Sequence, residues 1–173
     1  MPGPDDGLGK KAEQKIRDWC NRPDLAYSFD RIPDQMSGMK HSTNICDFIC
    51  FKSPYLYYIE SKSTWNPRFD FAVIADNQSS GLHDKNQIPY VFGLVIVLFA
   101  TFKRAFIFNI DDIRNLQDQG TKSLNIKKID KWSLPYVEIR TIPSRKLLLD
   151  YDGMLEEYVL ELEELRTSNE NSN

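Results

Sequence analysis

The sequence predicts a mixed α/β fold, a central mixed sheet flanked by helices, and three observations carry that expectation. Hydrophobic periodicity gives the element order helix, strand, hairpin, helix, two strands and a C-terminal extension. One strand candidate, residues 93–102, is apolar without alternation, as a strand covered on both faces must be. The chain has 173 residues, 41% of them hydrophobic, enough for one substantial core and too few for two ordinary domains. We expect a single domain over residues 1–150, an acidic amphipathic helix over 151–167 packed on it or on a partner subunit, and a disordered tail at 168–173.

Leu8, Ala12, Ile16 and Cys20 recur every four residues, the stripe of an amphipathic helix that Asn21 and Pro23 would end. Leu25, Tyr27 and Phe29 alternate with polar or small neighbours, a short strand that stops before Pro33. Residues 34–45 carry no period and read as a loop. Residues 46–51 and 55–61 are β-rich runs separated by Lys52-Ser53-Pro54, which reads as a hairpin. Residues 63–70 look irregular, and Ile74, Gln78 and Leu82 suggest a short helix interrupted near Gly81. Residues 93–102 and 104–110 read as strands joined tightly near Lys103, and 111–119 as a helix closed by Gly120. The stretch from there to Asp150 shows no clear pattern. Met154, Leu155, Tyr158, Val159, Leu162 and Leu165 then form an apolar stripe on a helix that Asp152 can cap.

Charge excludes some functions and localises others. The net charge is −3, but residues 150–173 hold eight acids against Arg166 alone, which leaves residues 1–149 at +4, a mildly basic body before an acidic tail. The longest apolar run, residues 90–100, is too short for the roughly 20 residues of a membrane-spanning helix. The N-terminus does not read as a secretory signal, so a cytoplasmic protein without membrane attachment is expected. Cys20, Cys46 and Cys50 lack zinc-site spacing and read as small buried thiols. Gly7-Leu8-Gly9-Lys10-Lys11 is not a phosphate loop, because no strand precedes it and no Ser or Thr follows the lysine. A Gly-x-Ser-x-Gly elbow for a serine hydrolase is also missing, and no residues for an organic cofactor are expected.

The chemistry concentrates on the hairpin. Asp47 falls in the apolar run Cys46-Asp47-Phe48-Ile49-Cys50-Phe51, and Glu60 and Lys62, two residues apart on the partner strand, leave the same face. A carboxylate in an apolar strand is costly unless a cation or donor meets it. Two carboxylates at close range repel each other, but two oxygen ligands suit a hard divalent ion such as Mg²⁺, with Mn²⁺ as a substitute. Lys62 beside them can orient the attacking water and neutralise charge developing on a phosphodiester. A plain cross-strand salt bridge from Lys62 to Asp47 or Glu60 is the structural alternative.

Asp47 followed by Glu60-Ser61-Lys62 resembles the signature of the PD-(D/E)xK nucleases, with Cys46 in place of the usual proline. More specifically, Thr43-Asn44-Ile45-Cys46-Asp47-Phe48, Tyr58-Ile59-Glu60-Ser61-Lys62-Ser63-Thr64, Phe69-Asp70-Phe71 and Asn77-Gln78 resemble the RecU family of Holliday junction resolvases. The strand of residues 93–98, Gly9-Lys10 with Glu13 on the first helix, and more weakly Lys122-Ser123-Leu124, extend the resemblance over residues 7–125, with a fainter continuation to Tyr151. The resemblance implies a restriction-endonuclease-like core and a homodimeric, Mg²⁺-dependent endonuclease that nicks two strands of a four-way junction symmetrically. It implies that Asp47 and Glu60 hold metal, Lys62 is the catalytic lysine, Gln78 supports the site and Glu13 is an additional carboxylate. The family's long insertion before the metal-binding Asp is replaced here by residues 34–45 alone. Two readings stand beside this one: another nuclease on the same core, acting on duplex or DNA ends, and a non-catalytic DNA-binding modulator of recombination.

Arg31, Lys40 and Arg68 are the candidate phosphate contacts, against the ordinary fate of a solvated base. Glu13 can instead pair with Arg17 one helical turn on, and Gln78 can be a solvated surface amide. Tyr57, Trp65 and Phe69 can stack on unpaired bases or pack in the core.

Overall fold

The computed structural model describes residues 7–20, 28–32, 44–142 and 148–150, together with 155, 159 and 160. Helix α1 (Leu8–Cys20) buries Ala12 and Ile16 and turns Lys10, Lys11, Gln14 and Asp18 to solvent, the division its four-residue period dictates. Strand β1 (Ser28–Arg31) pairs antiparallel with β2 (Phe48–Lys52), and β2 with β3 (Tyr55–Thr64) in the expected hairpin. Strand β4 (Arg68–Asp70) and helix α2 (Asp76–Asn86) lead to β5 (Val91–Phe99), which runs parallel to β3. Then come β6 (Arg104–Asn109), α3 (Ile110–Asp118), β7 (Ser123–Asn125), a 3-10 segment (Ile126–Lys131), β8 (Val137–Ile142) and β9 (Leu148–Asp150).

The result is the mixed α/β architecture the periodicities predict. Its main sheet has seven strands in the order β1-β2-β3-β5-β6-β8-β9, so β5 is the fourth of seven. That position explains its unbroken apolar sequence. Leu94, Ile96 and Leu98 pack into one layer with Ala12 and Ile16 of α1, while Val95, Val97 and Phe99 pack into the opposite layer with Leu82, Ile113 and Leu116 of α2 and α3.

Several local expectations are corrected. Residues 63–70 are not irregular throughout: β3 continues to Thr64, and β4 forms a separate two-stranded ribbon with β7 in which Phe69 and Leu124 face each other, both buried. This long-range pairing leaves no local period to read. The stretch beyond Gly120 contains β7, β8 and β9. Helix α2 is also not interrupted at Gly81. A Cβ there would lie 2.4 Å from Ile45 Cγ2, so the glycine lets α2 press against the segment just before Asp47. Gly93 serves the same packing from below, since a Cβ on it would sit 2.3 Å from the Leu82 carbonyl oxygen. Nearby, Asn86 on α2 accepts from Gly93 N at 2.5 Å and donates to Asn109 Oδ1 and Asp111 Oδ2, tying α2 to β5 and α3.

Most of the expected C-terminal helix lies outside the described residues, as do Lys40 and the tail. Of that segment, Leu155, Val159 and Leu160 are helical, and Leu155 and Val159 are buried in the layer that holds Ala12 and Ile16. Among the described residues no helix is long and apolar enough to cross a membrane.

Gly93→Ala and Gly9→Ala should change stability in opposite directions. The first drives a methyl into the Leu82 backbone and should lower urea-denaturation stability by about 1–3 kcal/mol. The second adds a methyl in α1 where nothing lies within 4 Å and should raise it by up to about 1 kcal/mol.

Candidate active site

Asp47 ends the β2–β3 ladder and does not sit within it. Phe48 and Ile59 are the last paired residues, and Asp47 occupies the bend before β2. Its backbone is pinned from both sides: its N–H donates to the Ile59 carbonyl at 3.0 Å, and its carbonyl accepts from Ile32 N at 2.9 Å. Beyond that end of β2, where β3 runs on without a partner strand on this side, the Asp47 side chain replaces the missing backbone acceptor, with Oδ2 receiving the Ser61 N–H at 2.8 Å. The strand end thus aims a carboxylate along the sheet without leaving the Ser61 amide unpaired.

Glu60 and Lys62 leave the face of β3 that carries Val95 and Val97 on the neighbouring strand, the face covered by α2. Glu60 is 2% exposed. Its Oε1 receives Lys62 Nζ at 2.7 Å and Gln78 Nε2 at 2.7 Å, whereas Oε2 is buried with no hydrogen-bond partner among the described residues. Burial, and then the negative charge of Asp47, push the Glu60 carboxyl up to about 7 against the opposing pull of Lys62 and Gln78. A buried carboxylate that repels its neighbour and keeps an unpaired oxygen is poorly served by protein donors alone. Two oxygen-donor side chains of this kind fit a hard divalent cation. Among the described residues no third Asp, Glu, His or Cys joins them in a metal-binding group.

Gln78 sits in the first turn of α2, in the row between buried Ile74 and Leu82. Its Nε2 donates to Glu60, and its Oε1 accepts from Lys62 Nζ at 3.1 Å and from Ala75 N at 3.2 Å. An amide can do this and a carboxylate cannot, because the position must donate to one neighbour and accept from another. The Lys62 side chain is 21% exposed, so the cation of the cluster opens to solvent while Glu60 is sealed beneath it. Asn77, next along α2, donates to the Asn44 carbonyl at 3.1 Å and anchors the helix start to the segment leading into Asp47. Its sequence position beside Gln78 is visible, but its anchoring bond is not, since the partner lies in a different part of the chain.

The other candidates lie elsewhere. Glu13 pairs with Arg31 at 3.0 Å on the α1 side of the sheet, with Arg31 opposite Phe48 of the α1 layer, whereas Glu60 faces α2. Arg68 is exposed on β4, where its Nε donates to Ser123 Oγ. Tyr57 and Phe69 are buried core residues and Trp65 is 45% exposed. Cys46, where the signature has proline, is buried and donates to the Phe48 carbonyl. Burial and the charges of Glu60 and Asp47 push its thiol up to about 12, which keeps it protonated and unreactive.

The raised carboxyl of Glu60 sets a pH dependence. The folded state holds the proton up to about pH 7 while the unfolded chain releases it near the ordinary glutamate range, so this group destabilises the fold progressively as pH rises through that window. In metal-free buffer, Glu60→Gln should therefore be more stable than wild type by about 1–3 kcal/mol at pH 8, and the gain should vanish near pH 4. Urea titrations at both pH values measure this. A variant destabilised at both would identify Glu60 as the structural partner of Lys62.

No family model matches the chain, and no curated protein matches its sequence. Among solved structures, the chain is similar to Hjc of Archaeoglobus fulgidus, described as a Holliday junction resolvase from an archaeal hyperthermophile, with 12% sequence identity and a TM-score of 0.43 over 60% of this chain and 78% of that one. A likeness at that level transfers neither residues nor activity.

Proposed function

We propose that this protein is a metal-dependent endonuclease of the PD-(D/E)xK type that hydrolyses phosphodiester bonds in branched DNA, resolving four-way junctions by paired nicks. The observation that carries the reading is the convergence of Asp47, Glu60, Lys62 and Gln78, with a sealed carboxylate oxygen that no donor among the described residues meets. The resemblance of those residues to the RecU pattern supplies the junction and the homodimer. Two symmetry-related sites would address two strands of like polarity.

Asp47 and Glu60 would hold Mg²⁺, or Mn²⁺ in its place, and the bound cation would polarise the scissile phosphate and favour ionisation of the attacking water. The chain's own residues supply the rest. The Ser61 amide fixes the direction of the Asp47 carboxylate, and α2 excludes water from the Glu60 side of the site. Gln78 holds Lys62 and Glu60 at a fixed separation, so the ammonium needs no reorganisation as the reaction proceeds. Lys62, the solvent-facing member, orients the water and stabilises negative charge on the phosphate oxygens. The water oxygen bonds to phosphorus as the bond from phosphorus to one sugar oxygen breaks; the water gives up a proton to solvent, and the departing sugar oxygen takes one from solvent to leave as a hydroxyl.

Cleavage of end-labelled four-way junction, Y-fork, duplex and single strand tests the proposal. Symmetric nicks on the junction, abolished by EDTA and reduced by about 10²-fold or more in Asp47→Asn and Lys62→Ala, are expected, with Gln78→Ala reduced about 10- to 100-fold. Equal cutting of plain duplex would favour a nuclease of broader substrate range, and no metal-dependent cutting of any substrate would favour a binding module. Independently of turnover, Mg²⁺ titration should raise the melting temperature of wild type and leave Asp47→Asn unmoved.

A further inference from the structure

A second feature lies on the α2 face of the sheet, beyond the C-terminal end of β3. The β4–β7 ribbon and the 3-10 segment Ile126–Lys131 enclose a cavity of about 320 Å³ open to solvent. Arg68, Lys128 and Lys131 line it together with Ser123 and Asn125, over a base that includes Trp132. No acidic side chain lines it, and among the described residues none of the three cations forms an ion pair. Asp130 lies between the two lysines in sequence, but it is not among the residues that line the cavity.

Hydrogen bonds and ring packing fix Arg68, Asn125 and Trp132 in the groove. Arg68 is aimed by its Nε bond to Ser123 Oγ at 2.7 Å, which spends one donor and leaves the terminal nitrogens of the fork without a hydrogen bond among the described residues. Asn125 caps the 3-10 segment through its side chain to Lys127 N, and its carbonyl accepts from Trp132 Nε1 at 3.1 Å. The indole is packed against Phe106 and Tyr136, with ring centroids 5.1 and 5.3 Å away, so it holds the floor and is not offered for stacking. Arg68, held by its hydrogen bond, and two exposed lysines, none of them in an ion pair among the described residues, surround hydroxyl and amide groups while the aromatic ring is committed elsewhere, a set that matches a run of phosphates better than exposed bases.

Position decides which phosphates. The ribbon is joined to the end of β3, with Ile126 N donating to the Pro67 carbonyl at 2.9 Å. From Glu60 to Thr64 the strand advances about 13 Å, the axial length over which one DNA strand presents about four phosphates. We propose that this groove grips the sugar-phosphate backbone of a duplex DNA arm whose scissile phosphate lies over Asp47 and Lys62. The inference rests on the nuclease reading and adds to it the surface that holds the substrate.

The test is fluorescence anisotropy with a labelled duplex and a labelled four-way junction, in EDTA so that nothing is cut, across a salt series. Lys128→Ala/Lys131→Ala is compared with Lys10→Ala/Lys11→Ala, an equal change of charge on the exposed face of α1. The groove variant should bind about tenfold or more weakly, with the salt dependence of log K shallower by about 1.8, since each lost phosphate contact contributes about 0.9. Its melting temperature should be unchanged, and the α1 variant should bind as wild type does. Equal binding by the groove variant and wild type, or equal losses in both variants, would overturn the groove. A wild type that binds DNA through the groove yet cuts no substrate with any divalent metal would overturn the nuclease reading and leave the groove standing. A wild type that binds no DNA would overturn both.

Discussion

Glu60 is an ionisable group sealed under a helix, within reach of another negative charge, and the surrounding structure compensates for that placement. Burial alone favours the neutral acid, and Asp47 pushes in the same direction. Lys62 and Gln78 offset part of the cost by meeting one oxygen, while the other has no partner among the described residues. A fold selected only for stability would place an apolar side chain there, as β5 does opposite it at Val95. Retaining the acid makes sense if a cation arrives to complete its coordination.

Holding Glu60 in that state requires α2 at a particular height above the sheet. Two glycines set it, one where the helix passes Ile45 and one where β5 passes beneath Leu82, and Asn86 fastens the far end of the helix to β5 and α3. With the helix so placed, Gln78 reaches both Glu60 and Lys62, and Asn77 reaches the segment that leads into Asp47. The parallel β3–β5 pair in the middle of the sheet makes a long crossover unavoidable, and that crossover carries β4 and α2, hence both the amide of the site and Arg68 of the groove.

Charge is divided in the same spirit. The formal balance of the chain is −3, which does not advertise a polyanion partner, yet the α2 face carries Lys62 at the site and Arg68, Lys128 and Lys131 beyond it. On the other side of the sheet, Arg31 is neutralised by Glu13, and at the far strands Arg104 is held by both oxygens of Glu138. Among the described residues Arg68, Lys128 and Lys131 form no ion pair, and they lie where a phosphate backbone crossing the site could meet them.

The hairpin, the strands on either side of Lys103 and the first helix were legible because each is written in a local pattern, whereas β8 and β9 were not. The two-residue period of β3 puts Glu60 and Lys62 on one face, and the four-residue row through Ile74, Gln78 and Leu82 puts Gln78 on the buried side of α2. The continuity of α2 through Gly81 was not legible, because a glycine in a helix reads as a break until Ile45 is seen pressing on it. The β4–β7 ribbon escaped for a related reason, since three-residue strands that pair across a long separation leave no period. By itself, then, the sequence determined which residues share a face and that the strands on either side of a tight turn, β2 with β3 and β5 with β6, are neighbours, because backbone geometry enforces both over a few residues. Only the tertiary structure decided that Glu60 is the sealed carboxylate and Asp47 the one at the strand end, that Glu13 faces Arg31 on the opposite side, and that Arg68 meets Lys128 and Lys131 around one groove. Those relations depend on how distant segments pack, and burial and electrostatics at each position follow from that packing.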